Sequence, residues 1–284
     1  MDNNVSKWKL FFTSKLGLIG TCLIVFFVYV ALCAPMIAPF DPFARVGQPF
    51  LAPSAEHLLG TNDIGQDIFS ELVYGTRISL LMGVVSALVA TFVGAVIGIC
   101  AGYFGGRVDA ILMRIVDVAL TIPMLPLQIV LAAFLGSSYW NIILVIGFLS
   151  WATPARVIRS QVLTVKNRGY IQAVQCLGGK PFYIMVKHVL PQTISIIISQ
   201  FILLSSRAIL METSLSFLGL GDVTQKSWGI ILYYAQAKSA FLTNRWVWWI
   251  LPPGLLITLL VIAFTYVGNA LEDVINPRLR KEVK

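Results

Sequence analysis

The chain has 284 residues, of which 57% are hydrophobic and only 12% are charged, and its mean hydropathy is +0.82. Soluble globular domains carry about 25% charged residues, so this composition excludes a water-soluble fold and places much of the surface against lipid. The formal net charge of +8 fits Lys and Arg gathered in the loops on one side of a membrane, and no nucleic-acid partner is expected.

A helix needs about 20 apolar residues to cross the hydrocarbon. Lys7, Lys9 and Lys15 precede a first apolar run, 16–38. It is too long for the core of a signal peptide, and Leu32 is too bulky for the lipoprotein-like cleavage that Ala31-Leu32-Cys33 would otherwise suggest. An uncleaved membrane helix is expected there. An outer loop follows, 39–76, acidic through Asp41, Glu56, Asp63, Asp67 and Glu71 against Arg45 alone. The second span, 78–102, carries a stripe of small residues: Gly83, Ser86, Ala87, Ala90, Gly94, Ala95, Gly98 and Gly102. Small residues let helix backbones approach closely in lipid, so this span is predicted inside a bundle.

The third span, 110–136, holds Pro123 and Pro126 and is predicted to kink. The fourth, 139–155, follows through Gly136-Ser137-Ser138. A basic loop, 156–191, leads to spans at 193–211 and 247–271. The run 227–237 is too short and polar to cross, and reads as an outer surface or re-entrant helix. With the N-terminus in the cytoplasm, the inner loops hold fourteen Lys and Arg against five outside, the bias expected of membrane proteins. Six spans leave both termini cytoplasmic. The organisation is then a first helix (1–38), an outer loop (39–76), a core membrane domain (77–271) and a tail (272–284).

No GxxxxGK[ST] occurs; Gly178-Gly179-Lys180-Pro181 lacks the hydroxyl that would hold magnesium. No GxSxG, HExxH or GxGxxG is present, so no catalytic residue is assigned. Two histidines and four separated cysteines (Cys22, Cys33, Cys100, Cys176) offer no metal-binding spacing, and the cysteines are assigned to packing. The only charges within the spans are Arg114, Asp117 and Arg207. Arg114 and Asp117 share a helix face, as a structural ion pair or as a gate. Arg207, near the outer end of span five, could snorkel outward, pair with a neighbouring subunit or line a pathway.

The basic loop contains a helix-turn-helix pattern. Residues 170–177 suit a short helix, Gly178-Gly179 a turn with positive φ, and Pro181 the first turn of the next helix. Ile184, Met185, His188 and Val189 make a partly apolar face, and Pro191 is expected to stop the helix. Such a hairpin docks on a partner or packs on its own bundle. The string QAVQCLGGKPFYIMVKHVLP resembles the EAA motif of ABC-importer permeases. Gln172-Ala173-Val174 stands in for EAA, Gly178 falls three residues later, His188 takes the aliphatic position and Leu190-Pro191 keeps the expected distance.

Other stretches resemble the C-type permeases of the dipeptide, oligopeptide and nickel family. His57, Gly60, Thr61, Asp63, Gly65, Asp67 and Ser70 lie in a segment that looks like HxxGTDxxGRDxxS. YGTRISL at 74–80, AGYFGGRVDAILMRIVD at 101–117, SFLGLG at 216–221 with Trp228-Gly229, and Asn276-Pro277-Arg278 follow in order. The resemblance runs from the first span to the C-terminus. It implies an all-α, six-span type I importer permease of the bacterial inner membrane, with a cytoplasmic coupling helix between spans four and five. It also implies a second permease, two ATPases that carry ATP and magnesium, and an extracytoplasmic binding protein; this chain would hold no cofactor. Asn62 replaces an acid, Gln66 an arginine, and Glu71 stands where arginine is frequent, so the outer loop is expected either to meet a basic partner or to have drifted neutrally. The competing reading is a secondary transporter driven by an ion gradient, which calls for buried acids and an inverted repeat.

Overall fold

A computed structural model describes residues 14–275 of the chain. Lys7, Lys9 and the Asn276-Pro277-Arg278 signature lie outside the described residues. The architecture is all-α. In chain order the helices are α1 (Lys15–Leu32), α2 (Ala34–Ile37), α3 (Ile68–Phe104), α4 (Gly106–Thr121), α5 (Met124–Leu135), α6 (Tyr139–Leu149) and α7 (Ala152–Lys166). Then come α8 (Gly169–Cys176), α9 (Pro181–Ile184), α10 (Leu190–Leu215), α11 (Trp228–Ala237), α12 (Trp246–Trp249) and α13 (Leu251–Ile275). Among the described residues, four stretches are long and apolar enough to cross a membrane by themselves, and six if each bent pair is one span.

The predicted third and fourth spans are these bent pairs. α4 and α5 meet at 85° across Ile122-Pro123, and α6 and α7 at 41° across Ser150-Trp151. The expected kink is thus a full corner, because the residue before proline is pushed out of helical geometry and Ile122 adopts ψ 128°.

α3 is the hub. All eight residues of its small stripe are buried, against α6, α7 and α10. A Cβ added at Gly98 would lie 2.6 Å from the Ala155 carbonyl oxygen, and one at Gly83 would lie 2.3 Å from Ile209. Gly98→Val is therefore expected to separate α3 from α7 and destabilise the bundle by about 1–3 kcal/mol, the ordinary range for overpacking. Thermal unfolding of the purified chain in detergent checks this; an unchanged midpoint would contradict the packing described.

Three expectations need correction. α3 begins at Ile68, ten residues before the predicted span, because Asp67 caps it by accepting from the Ser70 backbone N–H at 2.8 Å. The 227–237 helix is not among them: it stays outside the spans as expected, and Trp228, Ile231 and Ala235 are buried in a core with Phe27, Leu72, Ile209 and Trp249. Pro191 does not stop its helix, which runs on from Pro181 past Pro191 to a kink at Gly219, where φ is 83°. A π turn at Met185–Val189 gives the Leu190 N–H a carbonyl five residues back, at Met185. That wider turn accommodates the proline ring, which clashes with the carbonyl four residues back in a regular helix. The cysteines do not serve as core packing: Cys22 and Cys176 are exposed, Cys33 and Cys100 half-buried, and all four are free.

Candidate functional site

Two assemblies sit at opposite ends of the bundle. At one end, residues 39–67 fold over the starts of α3 and α13 as a cap. The signature residues build it. His57 is buried, with Nδ1 3.0 Å from Asp67 Oδ1. The Thr61 hydroxyl donates to the Gln48 carbonyl at 2.6 Å and accepts from the Leu51 N–H at 2.9 Å. The Gly60 carbonyl accepts from the Ile68 N–H. Gly65 has φ 83°, and a Cβ there would lie 2.1 Å from the Gly47 carbonyl oxygen, so only glycine fits. Asp63 reaches Lys238 at 3.1 Å. These residues brace a loop; none is left aimed at solvent as a reactive group.

The departures at 62, 66 and 71 form one buried network. Lys226 Nζ donates to Glu71 Oε1 and to Gln66 Oε1, both at 2.6 Å. The Asn62 side-chain N–H₂ donates to the same two oxygens, at 2.9 and 3.0 Å, and Gln66 Nε2 donates to the Phe43 carbonyl. Neither expectation for the departures holds: Glu71 is 3% exposed and its cation lies 155 residues further along this same chain. The network ties the cap to the segment that enters α11. A buried charge needs such a partner, and lysine at 226 supplies it.

Beneath the cap, α10 ends in a second π turn, Ser216–Leu220. Because α10 extends past the predicted end of span five, it includes Glu212, which is fully buried. Glu212 Oε1 accepts from the hydroxyls of Ser216 at 2.7 Å and Ser227 at 2.8 Å. Ser227 also caps α11 through the Ile230 N–H. Buried acids are thus present, at Glu71 and Glu212. The sequence signal for Glu212 is its place four residues before the SFLGLG string.

At the other end lies the hairpin of α8 and α9. Gly178 has φ 83° in the turn. Ile171, Ile184 and Val189 are buried against Val162, Val165 and Tyr103, so one face packs on the bundle. The opposite face is bare: Leu177 is 87% exposed and Phe182 74%, with Tyr183 also exposed. Gln172, Ala173 and Pro191 are exposed as well, whereas Gly179 and Leu190 are half-buried. A Cβ at Gly179 would lie 2.9 Å from the Val174 carbonyl. His188 lies between Tyr170 and Tyr183 in tilted and edge-to-face contacts, with centroid separations of 6.4 and 5.6 Å.

Of the membrane charges, Arg114 and Asp117 do not pair. Asp117 bonds Arg156 across the α4–α7 contact at 2.5 Å, and Asp109 takes both Nε and one terminal nitrogen of Arg159. A neighbouring helix offers partners side by side, and Arg114 is left exposed. Arg207 is not near a helix end either. Eight residues of α10 follow it, about 12 Å at 1.5 Å per residue, before the π turn begins.

The N-terminal membrane domain of oligopeptide transport permease C matches residues 6–55, and the binding-protein-dependent transport system inner membrane component matches residues 94–281. The dipeptide transport system permease protein DppC of Bacillus subtilis is 36% identical over 276 residues, covering 96% of this chain and 85% of the relative. The oligopeptide transport system permease protein OppC of the same organism is 34% identical, covering 98% and 92%. The glutathione transport system permease protein GsiD of Pectobacterium atrosepticum is 32% identical, covering 96% and 90%. With its broken membrane spans, cap and exposed hairpin, the chain belongs to the family of binding-protein-dependent transport system inner membrane components, and it is a multi-pass inner-membrane permease subunit of an ATP-driven importer rather than an enzyme.

Proposed function

We propose that the chain pairs with a second, homologous permease and two cytoplasmic ATPases, and passes peptides or related small solutes delivered by an extracytoplasmic binding protein. The relatives are named for dipeptide, oligopeptide and glutathione transport, which supports a peptide-like cargo. The hairpin end and both termini then lie in the cytoplasm, as the basic loops require, and the cap faces outward. The chain itself binds no nucleotide; ATP and magnesium sit on the ATPases.

The observation that carries this reading is the bare hairpin tip. Leu177, Phe182 and Tyr183 stand exposed at a turn whose other face is already packed. Exposed apolar groups of that size mark a partner site. Gln172, Ala173, Gly178, Gly179, His188, Leu190 and Pro191 are the proposed coupling residues, placed in the cleft of one ATPase. The family match, rather than the buried acids, weighs against the ion-gradient reading: Glu71 is held by Lys226, whereas Glu212 has one oxygen held by two seryl hydroxyls and its Oε2 has no partner among the described residues.

Affinity purification of the tagged chain from mild detergent tests the assembly. Recovery of a second permease and Walker-motif ATPases is expected, with crosslinking through the exposed Cys176 capturing the ATPase. A chain that comes down alone even after crosslinking would defeat the proposal.

A further inference from the structure

Arg207 lies within a membrane-spanning helix, about 12 Å before its π turn, is exposed, and has no ion-pair partner among the described residues; Glu272 on α13 feels its charge but is bonded to Gln200 instead. An unpaired charge at that depth is costly unless it borders water. The structure supplies the border. Arg207 lines a half-open cavity of about 180 Å³ together with Leu120, Met124, Ser150, Thr153 and Met211. Leu120 and Met124 flank the corner between α4 and α5, and Ser150 and Thr153 flank the bend between α6 and α7. Both broken spans therefore break at the same place, and Arg207 faces it from α10. Discontinuous helices that expose backbone groups at depth are tolerated where they line a cavity, and they form solute sites in transporters.

The polar groups there are only partly satisfied. Ser150 Oγ and Gln128 Nε2 both donate to the Met211 sulfur, at 3.9 and 3.4 Å. Thioethers are weak acceptors. Gln128 is fully buried one contact behind the cavity wall, and its carbonyl oxygen has no partner among the described residues. A guanidinium presents a planar fork that matches a carboxylate. The remaining lining is hydroxyl, thioether and aliphatic, which suits the uncharged body of a small solute.

We propose that Arg207, with Ser150 and Thr153, forms a transient subsite in the translocation path that holds the carboxylate of a peptide-like solute. This rests on the importer reading above and adds the chemical group selected inside the membrane.

The test uses the assembled importer with Cys22, Cys33, Cys100 and Cys176 replaced and Ser150→Cys introduced, reconstituted in vesicles. The thiol is reacted with an anionic sulfonate and a cationic ammonium methanethiosulfonate of similar size. The anionic reagent is expected to react at least about tenfold faster, a factor worth about 1.4 kcal/mol. Arg207→Gln is expected to abolish the preference and Arg207→Lys to retain part of it. Dialanine is expected to slow the labelling and dialanine amide to do so much less. Thr153→Cys repeats the measurement should Ser150→Cys fail to assemble. No labelling by either reagent, a preference unchanged by Arg207→Gln, or equal protection by the amide would each overturn the subsite. Absence of ATP-dependent uptake by the parent importer would instead count against the importer reading, whereas intact uptake with a flat charge preference counts against the subsite alone.

Discussion

Lys226→Met is expected to lower the thermal midpoint of the detergent-solubilised chain by on the order of 10 °C. The substitution removes the only cation bonded to Glu71 among the described residues and leaves its buried carboxylate, and the Gln66 carbonyl, without their strongest donor. Breaking a buried ion pair from one side costs about 3–5 kcal/mol, and in a chain of this size each kcal/mol moves the midpoint by about 2–4 °C. The control is the double variant Glu71→Gln, Lys226→Met, where no charge stays buried. It should recover most of the loss, because replacing both partners is far cheaper than orphaning one. A double variant as damaged as the single one would show that Lys226 acts through packing over Phe43, where its ammonium lies 5.4 Å from the ring centroid, and not through Glu71. Gln66→Arg with Glu71→Arg, which restores the family pattern in isolation, is expected to fail for the same reason: it surrounds Lys226 with two further cations.

The second large effect concerns transport. Gly178→Asp is expected to abolish uptake while leaving membrane insertion and abundance near those of the parent. A Cβ at this position meets nothing within 4 Å, so the chain's own fold tolerates it. The left-handed backbone, at φ 83°, costs a non-glycine residue roughly 1–2 kcal/mol, which an exposed turn can absorb. Under the proposed docking on an ATPase, what it cannot absorb is a charged side chain at the apolar tip. Uptake into proteoliposomes, measured beside protein level and the ATPase rate, separates the two. Persistent uptake would remove the hairpin from the coupling path.

Features with a local chemical signature are legible in the sequence. The small stripe of α3 announces a buried hub through spacing alone, and Gly178-Gly179-Lys180-Pro181 punctuates the hairpin. The exposed Leu177 and Phe182 are not separable by sequence from their buried neighbours Ile171 and Ile184, because a short amphipathic helix shows two faces without saying which is covered. Partners distant in sequence are also invisible. Arg114 is the near neighbour of Asp117, yet Arg156 wins because α4 and α7 lie alongside each other. Glu71 reads as a surface charge unless Lys226, from the far end of the chain, is placed beside it. Pro191 reads as a stop signal in any local scheme, since nothing in its neighbours encodes the π turn that lets the helix through.

That continuity has a mechanical consequence. The hairpin's second arm, Arg207 and Glu212 all ride on one helix that runs from Pro181 to the kink at Gly219, about 57 Å long at about 1.5 Å per residue. It is a lever that spans the membrane. Pivoted at one end, a rod of that length displaces its other end by about 1 Å for each degree of tilt. A stiff lever needs no relay of side chains: on the ATPase docking proposed above, closure of a nucleotide-driven jaw on the hairpin tip would reach the cap in a single rigid stroke, and the most damaging lesion would be one that made the rod supple, such as a glycine pair inserted beside the π turn.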